Sequence, residues 1–579
     1  MTQEMRIITE RVDDIPVLMA QLVKMNVPVL LDEYFPTHGN WNGTSLGWTT
    51  SVWMVSILSK GDHRLNHVET WVANRESLLG QLCGGAVHSG EWSDDRLGIV
   101  LDELSDDEKW QGFERALNQH VLRVYALETK WVRVDSTTTS GHWAVSEDSL
   151  FHYGHSKDHR PDLPQVKVML STLDPLGMPV ATQVVSGEKA DAPLYLPAIR
   201  EVSAGLGVTG LLYVGDCKMA ALETRAHVHS QGDYYLCPLS ETQLSDELLD
   251  SYLQPYWDKQ QTLRAIYRVD STGQETQIAE GFELSIQLSA TVDDHPVQWN
   301  ERRLVVRSEE YRQSQFEQLH ARLNRAQTRL NQLMVRKQGK TSPATAAELR
   351  AAVQAILKAE HGQGLFTFHI EEEVSQHNVR AYNGNPAHTV TVTKATLHFE
   401  RDAQAIHQAE LRLGWRVYVT NHPLDTLPLD KALLAYREQF LAERGFARLK
   451  GHALSISPMY LHTDSRVTGL IRLLTIGLRL LTLFEHAVRK SLADQHETLV
   501  GLYAGNPKRA TQRPTTEMML QAFNYIDLSV VLIGDQRHLH ITELNEVQSK
   551  ILSLLGCLID LYIGLTGVFS FSSSKMTEP

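Results

Sequence analysis

YREQFLAERGFARLK, residues 436–450, is the stretch on which the reading of this chain turns. At 100° per residue, Tyr436, Glu443 and Lys450 recur every seven positions and share one narrow arc of a single helix, with Gln439 beside them. One carboxylate thereby sits between a phenol and an ammonium. Leu433, Phe440 and Ala447 make an apolar stripe that docks such a helix on a core, while Arg437, Arg444 and Arg448 flank the other edge. The same spacing also suits an amphipathic surface helix with ordinary i,i+4 and i,i+7 charges, so its surroundings have to decide.

Two upstream runs supply the context. KWVRVD (130–135), followed by the turn-prone STTTSG, and LLYVGD (211–216) are both β-rich and both end in aspartate. An Asp after a strand is most often a turn residue or a helix cap. In the order Asp135, Asp216, Glu443, however, the three carboxylates are hard oxygen ligands of the kind a pair of Mg²⁺ or Mn²⁺ ions requires. Residues 129–240 predict strand, long turn, strand QVKVMLSTL, turn, strand PVATQVVS, helix PLYLPAIREVSA, strand LLYVG, helix AALETRAHVHS and strand YYLCPL. This βββαβαβ order is that of a ribonuclease-H-like core, whose first and fourth strands lie side by side and parallel, making Asp135 and Asp216 neighbours. HYGHSKDHRPD takes up the extra length between them as a loop over the site. Its Lys157, His159 and Arg160 suit DNA phosphates, and equally suit a solvated charged loop.

Further motifs run along the chain: YGHSKDHRPDLPQVKV at 153–168, GEKAD at 187–191, VYVTN at 417–421 and LSISPMYLHTDSRVTGLIRLL at 454–474. Together with Tyr436, Glu443 and Lys450, they resemble the DDE transposases of bacterial insertion sequences, in the group with a Y-x2-R-x3-E-x6-K signature. Gln439 stands where that signature has arginine, with Arg437 and Arg444 as substitutes. The resemblance runs from about residue 10 to 535 and implies a ribonuclease-H-like core interrupted by a β-rich insertion. It implies two Mg²⁺ or Mn²⁺ ions on Asp135, Asp216 and Glu443, with Tyr436 and Lys450 positioning the phosphate. The implied activity is cut-and-paste transposition: cleavage at terminal inverted repeats, then strand transfer into target DNA by a homodimer assembled on double-stranded DNA. Two rivals share these motifs, a non-catalytic DNA-binding descendant and a metal-dependent nuclease without strand transfer.

The formal charge of −14 over 579 residues argues against a uniformly basic coat, so DNA contact has to come from local patches. Residues 415–491 carry 11 Lys+Arg against 6 Asp+Glu, a balance of +5 around the signature stretch. Cys83, Cys217, Cys237 and Cys557 form no CxxC pair, which predicts a reduced, cytoplasmic protein without a zinc finger. No basic-then-apolar leader opens the sequence. ILSLLGCLIDLYIGLTGVF (551–569) is about as long as a membrane span, but Asp560 and three glycines interrupt it, so it is expected to be a buried helix.

The expected class is α/β, in five regions. Residues 1–128 are a helical domain that binds DNA ends, with His63, Arg64 and Asn66 as polar candidates, or as caps and links between core helices. Residues 129–240 and 413–495 form the two parts of the core. Residues 241–412 are the insertion, since the 226 residues between Asp216 and Glu443 are too many for a loop. Strands AIYRVD, FELSIQL and RLVVRS precede a long helix whose Phe316, Leu319, Leu323, Ala326, Leu330 and Leu333 form a seam for AAELRAAVQAIL at 346–357. Residues 496–579 are a C-terminal helical region. There GNPKRATQRPTTEMML is a basic linker with Lys508, Arg509 and Arg513, opening a helix capped by Thr515 or Thr516. Arg466, Arg472, Arg479 and Arg489 are expected along the basic edge of a core helix at 466–490. In the insertion, Trp299 is placed to stack on a flipped DNA base, with Arg302 and Arg303 on the neighbouring phosphates and Trp257 as runner-up. Its other reading is packing between the insertion's strands and the long helix.

Overall fold

A computed structural model describes residues 5–270, 273–335, 345–379, 388–438, 440–533 and 536–567. The chain opens with strand β1 (Met5–Arg11) and seven helices: α1 (Ile15–Lys24), α2 (Val27–Tyr34), α3 (Leu46–Lys60), α4 (Val68–Ala73), α5 (Glu76–Cys83), α6 (Asp94–Leu104) and α7 (Asp107–Val124). Their limits follow local chemistry. Ser45 caps α3 by accepting from the Trp48 N–H, Gly61 ends it at φ 64°, and the Asp106 carboxylate accepts from two N–H groups at the start of α7.

The next segment holds β2 (Trp131–Ser140), β3 (Gln165–Leu173), β4 (Met178–Ser186), α8 (Ala192–Leu206), β5 (Leu212–Gly215), α9 (Leu222–Ser230) and β6 (Tyr234–Pro238). These strands lie in the order β4-β3-β2-β5-β6, with β2, β3 and β4 antiparallel and β2, β5 and β6 parallel. An α/β fold with a mixed sheet and flanking helices results, compatible with a ribonuclease-H-like architecture. β2 does not stop at Asp135. The β-branched run Thr137–Thr139 continues it to Ser140, antiparallel to β3, so Asp135 lies mid-strand at the point where parallel pairing with β5 ends.

After β6 come α10 (Asp246–Trp257), β7 (Arg264–Val269), β8 (Glu275–Val292), β9 (His295–Arg307), α11 (Glu309–Met334), α12 (Ala346–Ala359), β10 (Phe366–Val379), β11 (His388–Arg401), α13 (Ala403–Leu411), β12 (Trp415–Thr420) and α14 (Leu429–Arg437). One compact unit comprises residues 238–287 and 300–434; the other comprises 1–237, 288–299 and 435–579. Strand β12 therefore belongs with the inserted unit, which reaches well past residue 412. Within that unit β12, β9, β8 and β7 follow one another in a sheet. Leu319, Leu323, Ala326 and Leu330 of α11 close on Leu349, Val353, Ile356 and Leu357 of α12, and this helical hairpin packs on Phe366 and Leu397 of the β10–β11 ribbon.

The chain ends in α15 (Phe440–Lys450), α16 (Asp464–Asp494), α17 (Thr516–Gln521), β13 (Asp527–Ile533), β14 (Gln536–Ile541), α18 (Glu546–Leu554) and α19 (Asp560–Ile563). The expected single signature helix is two, since α14 stops at Arg437 and α15 starts at Phe440. Tyr436 therefore lies on α14, and Glu443 and Lys450 lie on α15. The last region is not wholly helical either. β13 and β14 form a hairpin, and β1 pairs along β13 from Met5↔Ile533 to Arg11↔Asp527. The apolar run at 551–569 breaks after α18, with Gly556 at φ 71°, a conformation that favours glycine. Thr515 does cap α17, accepting from the Met518 N–H.

Helix α16 organises the unit made of residues 1–237, 288–299 and 435–579. It is long and apolar enough to cross a membrane, yet 94% of its apolar window is buried inside the fold. It packs on α1, α3, α6, β4, α15, α17 and α18. A Cβ at Gly469 would stand 2.1 Å from the Leu101 carbonyl oxygen, so glycine there is what lets α6 approach. Its arginines correct the expected basic edge. Arg479 is fully buried and paired with Glu114, Arg472 donates to the Leu104 carbonyl and pairs with Asp107, and Arg489 pairs with Glu485.

Candidate active site

The register of β2 on β5 builds the site. The last parallel rung is Val134↔Gly215, so Asp135 and Asp216 are the next residue on each strand. They line one narrow cleft with Arg133, Val134, Val214, Gly215 and Tyr436, whose volume is about 10 Å³, room for roughly a single water or ion. Asp135 Oδ1 accepts from the Ser136 N–H at 2.7 Å and lies 3.4 Å from Lys157 Nζ. Burial raises the Asp135 carboxyl above its ordinary range. Lys157 and the Ser136 N–H pull it down, and the charge of Asp216 adds to the rise. Asp216 Oδ1 accepts from the Lys218 N–H at 2.8 Å, which fixes the turn after β5.

One residue of the site was not foreseen. Tyr195, on α8, is 1% exposed and donates its hydroxyl to Asp216 Oδ1 at 2.7 Å. Burial and the two aspartates hold its phenol well above its ordinary pKa, so it remains a donor. Glycine at 215 makes room for it, since a Cβ there would come within 3.0 Å of the Tyr195 ring. In the sequence Tyr195 is one aromatic among the apolar residues of PLYLPAIREVSA. The only available signal was a hydroxyl-bearing aromatic on the helix leading into the Asp216 strand.

The Tyr436 end is fixed from beneath. Arg133 is 3% exposed, donates from Nε to Asp174 at 2.8 Å and from Nη2 to the Ala435 carbonyl at 2.6 Å. The residue preceding Tyr436 is thereby tied to β2. Glu443 is exposed on the first turn of α15, and α15 packs against β2. Among the described residues no group of three or more His, Cys, Asp or Glu side chains is placed to share a metal ion. The donors of Asp135 and Asp216 fit a hard divalent ion, while Glu443 is not grouped with them.

The remaining candidates divide by what they touch. Gln439 lies outside the described residues. Lys450 pairs with Asp158. Arg437 ends α14, and Arg444 is 2.5 Å from Glu485, which also holds Arg448 and Arg489. His63 is 3% exposed, Arg64 pairs with Asp62, and Asn66 is exposed. Lys508, Arg509 and Arg513 are exposed too, whereas Arg160 pairs with Asp162.

Trp299 is a correction. It is 4% exposed, its indole N–H donates to the Tyr235 hydroxyl at 2.8 Å, and it stacks on His229 at 5.7 Å. A ring so enclosed cannot receive a flipped base, and its partners are β6 and α9 rather than the long helix. Arg302, paired with Glu283 and bonded to the His422 and Leu427 carbonyls, and Arg303, paired with buried Glu301, serve their own unit. Trp257 packs against the cluster of Leu249, Tyr252, Leu253 and Trp415.

Compared with known proteins, the chain matches no family model and no curated protein. Among solved structures, a distant similarity is to a piggyBac transposase synaptic complex with hairpin DNA, at 8% identity and TM-score 0.23, over 81% of this chain and 79% of that one.

Proposed function

We propose that this chain is a DDE-type DNA transposase acting by cut and paste, with Asp135, Asp216 and Glu443 as its catalytic carboxylates. One observation carries the reading: in a βββαβαβ sheet, the parallel register of β2 and β5 delivers two aspartates to the same cleft, and the helix bearing Glu443 packs on β2. Asp135 and Asp216 would hold Mg²⁺ or Mn²⁺, with Glu443 completing the set when DNA draws α15 in. Bound there, the metal supplies a nucleophile at neutral pH and stabilises charge on the phosphate. The protein's own groups do the rest. Tyr195 keeps Asp216 oriented, Arg133 fixes the backbone before Tyr436, and Tyr436 with Lys450 holds the scissile phosphate in line. The partners in this reading are terminal inverted repeats, target DNA and a second copy of the chain.

The test is cleavage and joining with purified protein and DNA carrying the element's ends. Asp135→Asn, Asp216→Asn and Glu443→Gln should each lose at least a hundredfold in cleavage rate while binding DNA as tightly as the parent. Cleavage that survives in Glu443→Gln would remove that residue from the set. Cleavage without joined product would make the protein a nuclease.

A further inference from the structure

The loop between β2 and β3 is fixed at its base and held at its tip by charge. At the base His152 bridges Gln165, and Gln165 Nε2 donates to the Gly187 carbonyl at 3.0 Å. A Cβ on Gly154 would lie 2.3 Å from that same oxygen, so the two backbones touch through glycine. At the tip the Lys157 N–H donates to Thr138 Oγ1 at 3.0 Å, and Lys157 Nζ donates to the Ser136 carbonyl at 2.6 Å and faces Asp135 at 3.4 Å. The next residue, Asp158, takes the Lys450 ammonium. Other polar groups of the tip satisfy one another: Asp158 and Arg160 N–H groups donate to Ser156 Oγ, and Arg160 pairs with Asp162. Tyr153, His155, His159 and Arg160 are exposed, so little apolar packing holds the tip down. His159 sits at φ 57°, which a residue with a Cβ adopts only where its surroundings impose it.

Two of the tip contacts engage groups that the proposed reaction assigns to ligands, Asp135 and Lys450. We propose that residues 153–163 are a charge-matched plug: Lys157 stands where a divalent cation binds Asp135, Asp158 stands where a DNA phosphodiester binds Lys450, and the two ligands together displace the segment. The phosphodiester half of this statement rests on the transposase reading. Charge supports exchange, because a divalent ion outcompetes one ammonium for a carboxylate and both ion pairs are partly exposed and therefore weak. Adjacency of Lys157 and Asp158 couples the events, so metal and DNA should each strengthen binding of the other.

The experiment uses the full chain. Mn²⁺ is titrated calorimetrically at pH 8 without DNA, and a short duplex is titrated by anisotropy in EDTA. Lys157→Gln should bind Mn²⁺ about three- to tenfold more tightly than the parent, and unchanged or weaker binding overturns the plug. Asp158→Asn should gain several-fold in duplex affinity, whereas Asp148→Asn, an exposed change of equal charge in the same loop, should not; equal gains overturn the Lys450 half. Hydrogen exchange on the unmutated chain needs no variant to fold. Amides of 153–163 should exchange faster with Mn²⁺ and duplex together, and an unchanged rate refutes displacement. If the shifts in binding hold while no variant or parent cleaves DNA, the transposase reading falls and the cation half of the plug stands.

Discussion

Replacing Arg133 by methionine should damage the unit that holds the aspartate cleft more than any surface charge change, and the structure sets the size. The guanidinium is 3% exposed; it pairs with Asp174, whose side chain is 2% exposed, and donates to the Ala435 carbonyl. Methionine fills much of the volume but leaves a buried carboxylate without a counter-ion and a carbonyl without a donor. Breaking such a pair from one side costs about 3–5 kcal/mol, because the surviving charge is stranded in a poor dielectric. Burial already raises Asp174, and Arg133 is the chief influence drawing it back. In Arg133→Met its pKa should climb further, so the loss of stability should shrink between pH 7 and pH 5 as the carboxyl takes a proton. Arg133→Met/Asp174→Leu should recover most of the loss, leaving about 1–3 kcal/mol for the carbonyl. Urea unfolding followed by tryptophan fluorescence reads all of this, provided the slope is unchanged among variants. A loss in Arg133→Met below about 1 kcal/mol, or a double variant no better than the single, would refute the reasoning.

Trp299→Ala should lower stability by about 3–5 kcal/mol and reduce every biochemical step together, as expected for a core ring whose removal also takes a hydrogen bond from the Tyr235 hydroxyl; selective loss of second-strand cleavage at full stability would contradict its burial. Glu201, at a cavity of about 310 Å³ between α7 and α8, is pushed up to about 7 by burial and the nearby Glu114. A carboxyl raised in the folded state stabilises most below its unfolded pKa and loses that contribution as pH rises through 7. Relative to Glu201→Gln, the parent should therefore lose about 2 kcal/mol between pH 4.5 and 8, discounted for partial exposure, and parallel pH curves would exclude it.

Much of the core was legible because its strands are short, apolar and bounded by turn residues. QVKVMLSTL is buried at all nine of its positions, and a run so uniformly apolar in setting belongs to a central strand. The adjacency of Asp135 and Asp216 followed from element order alone. The break after Arg437 was not legible, since EQFLAERGF contains no proline and only one glycine, and helical periodicity continues across it. DLSVVLI and QRHLHI were missed as strands because a region of leucine-rich helices surrounds them, and DLSVVLI pairs with β1 across more than 500 residues. The roles of Arg479 and Arg133 were hidden for a related reason. Arginine in a pattern suggests surface, and only the tertiary fold shows which arginines face buried carboxylates.

The position of α16 has a consequence for how the protein is made. Gly469 meets Leu101, Arg472 meets the Leu104 carbonyl and Arg479 meets buried Glu114, so the inner faces of α6 and α7 are completed by residues translated some 365 positions later. Strand β1 waits longer still, for β13. At roughly 5–20 residues per second, the nascent N-terminal helices stand on the ribosome for about 20–70 s with that surface uncovered. The emerging polypeptide should thus be a client of cellular holdases throughout most of its synthesis, and a truncated product ending near residue 125 should aggregate rather than fold.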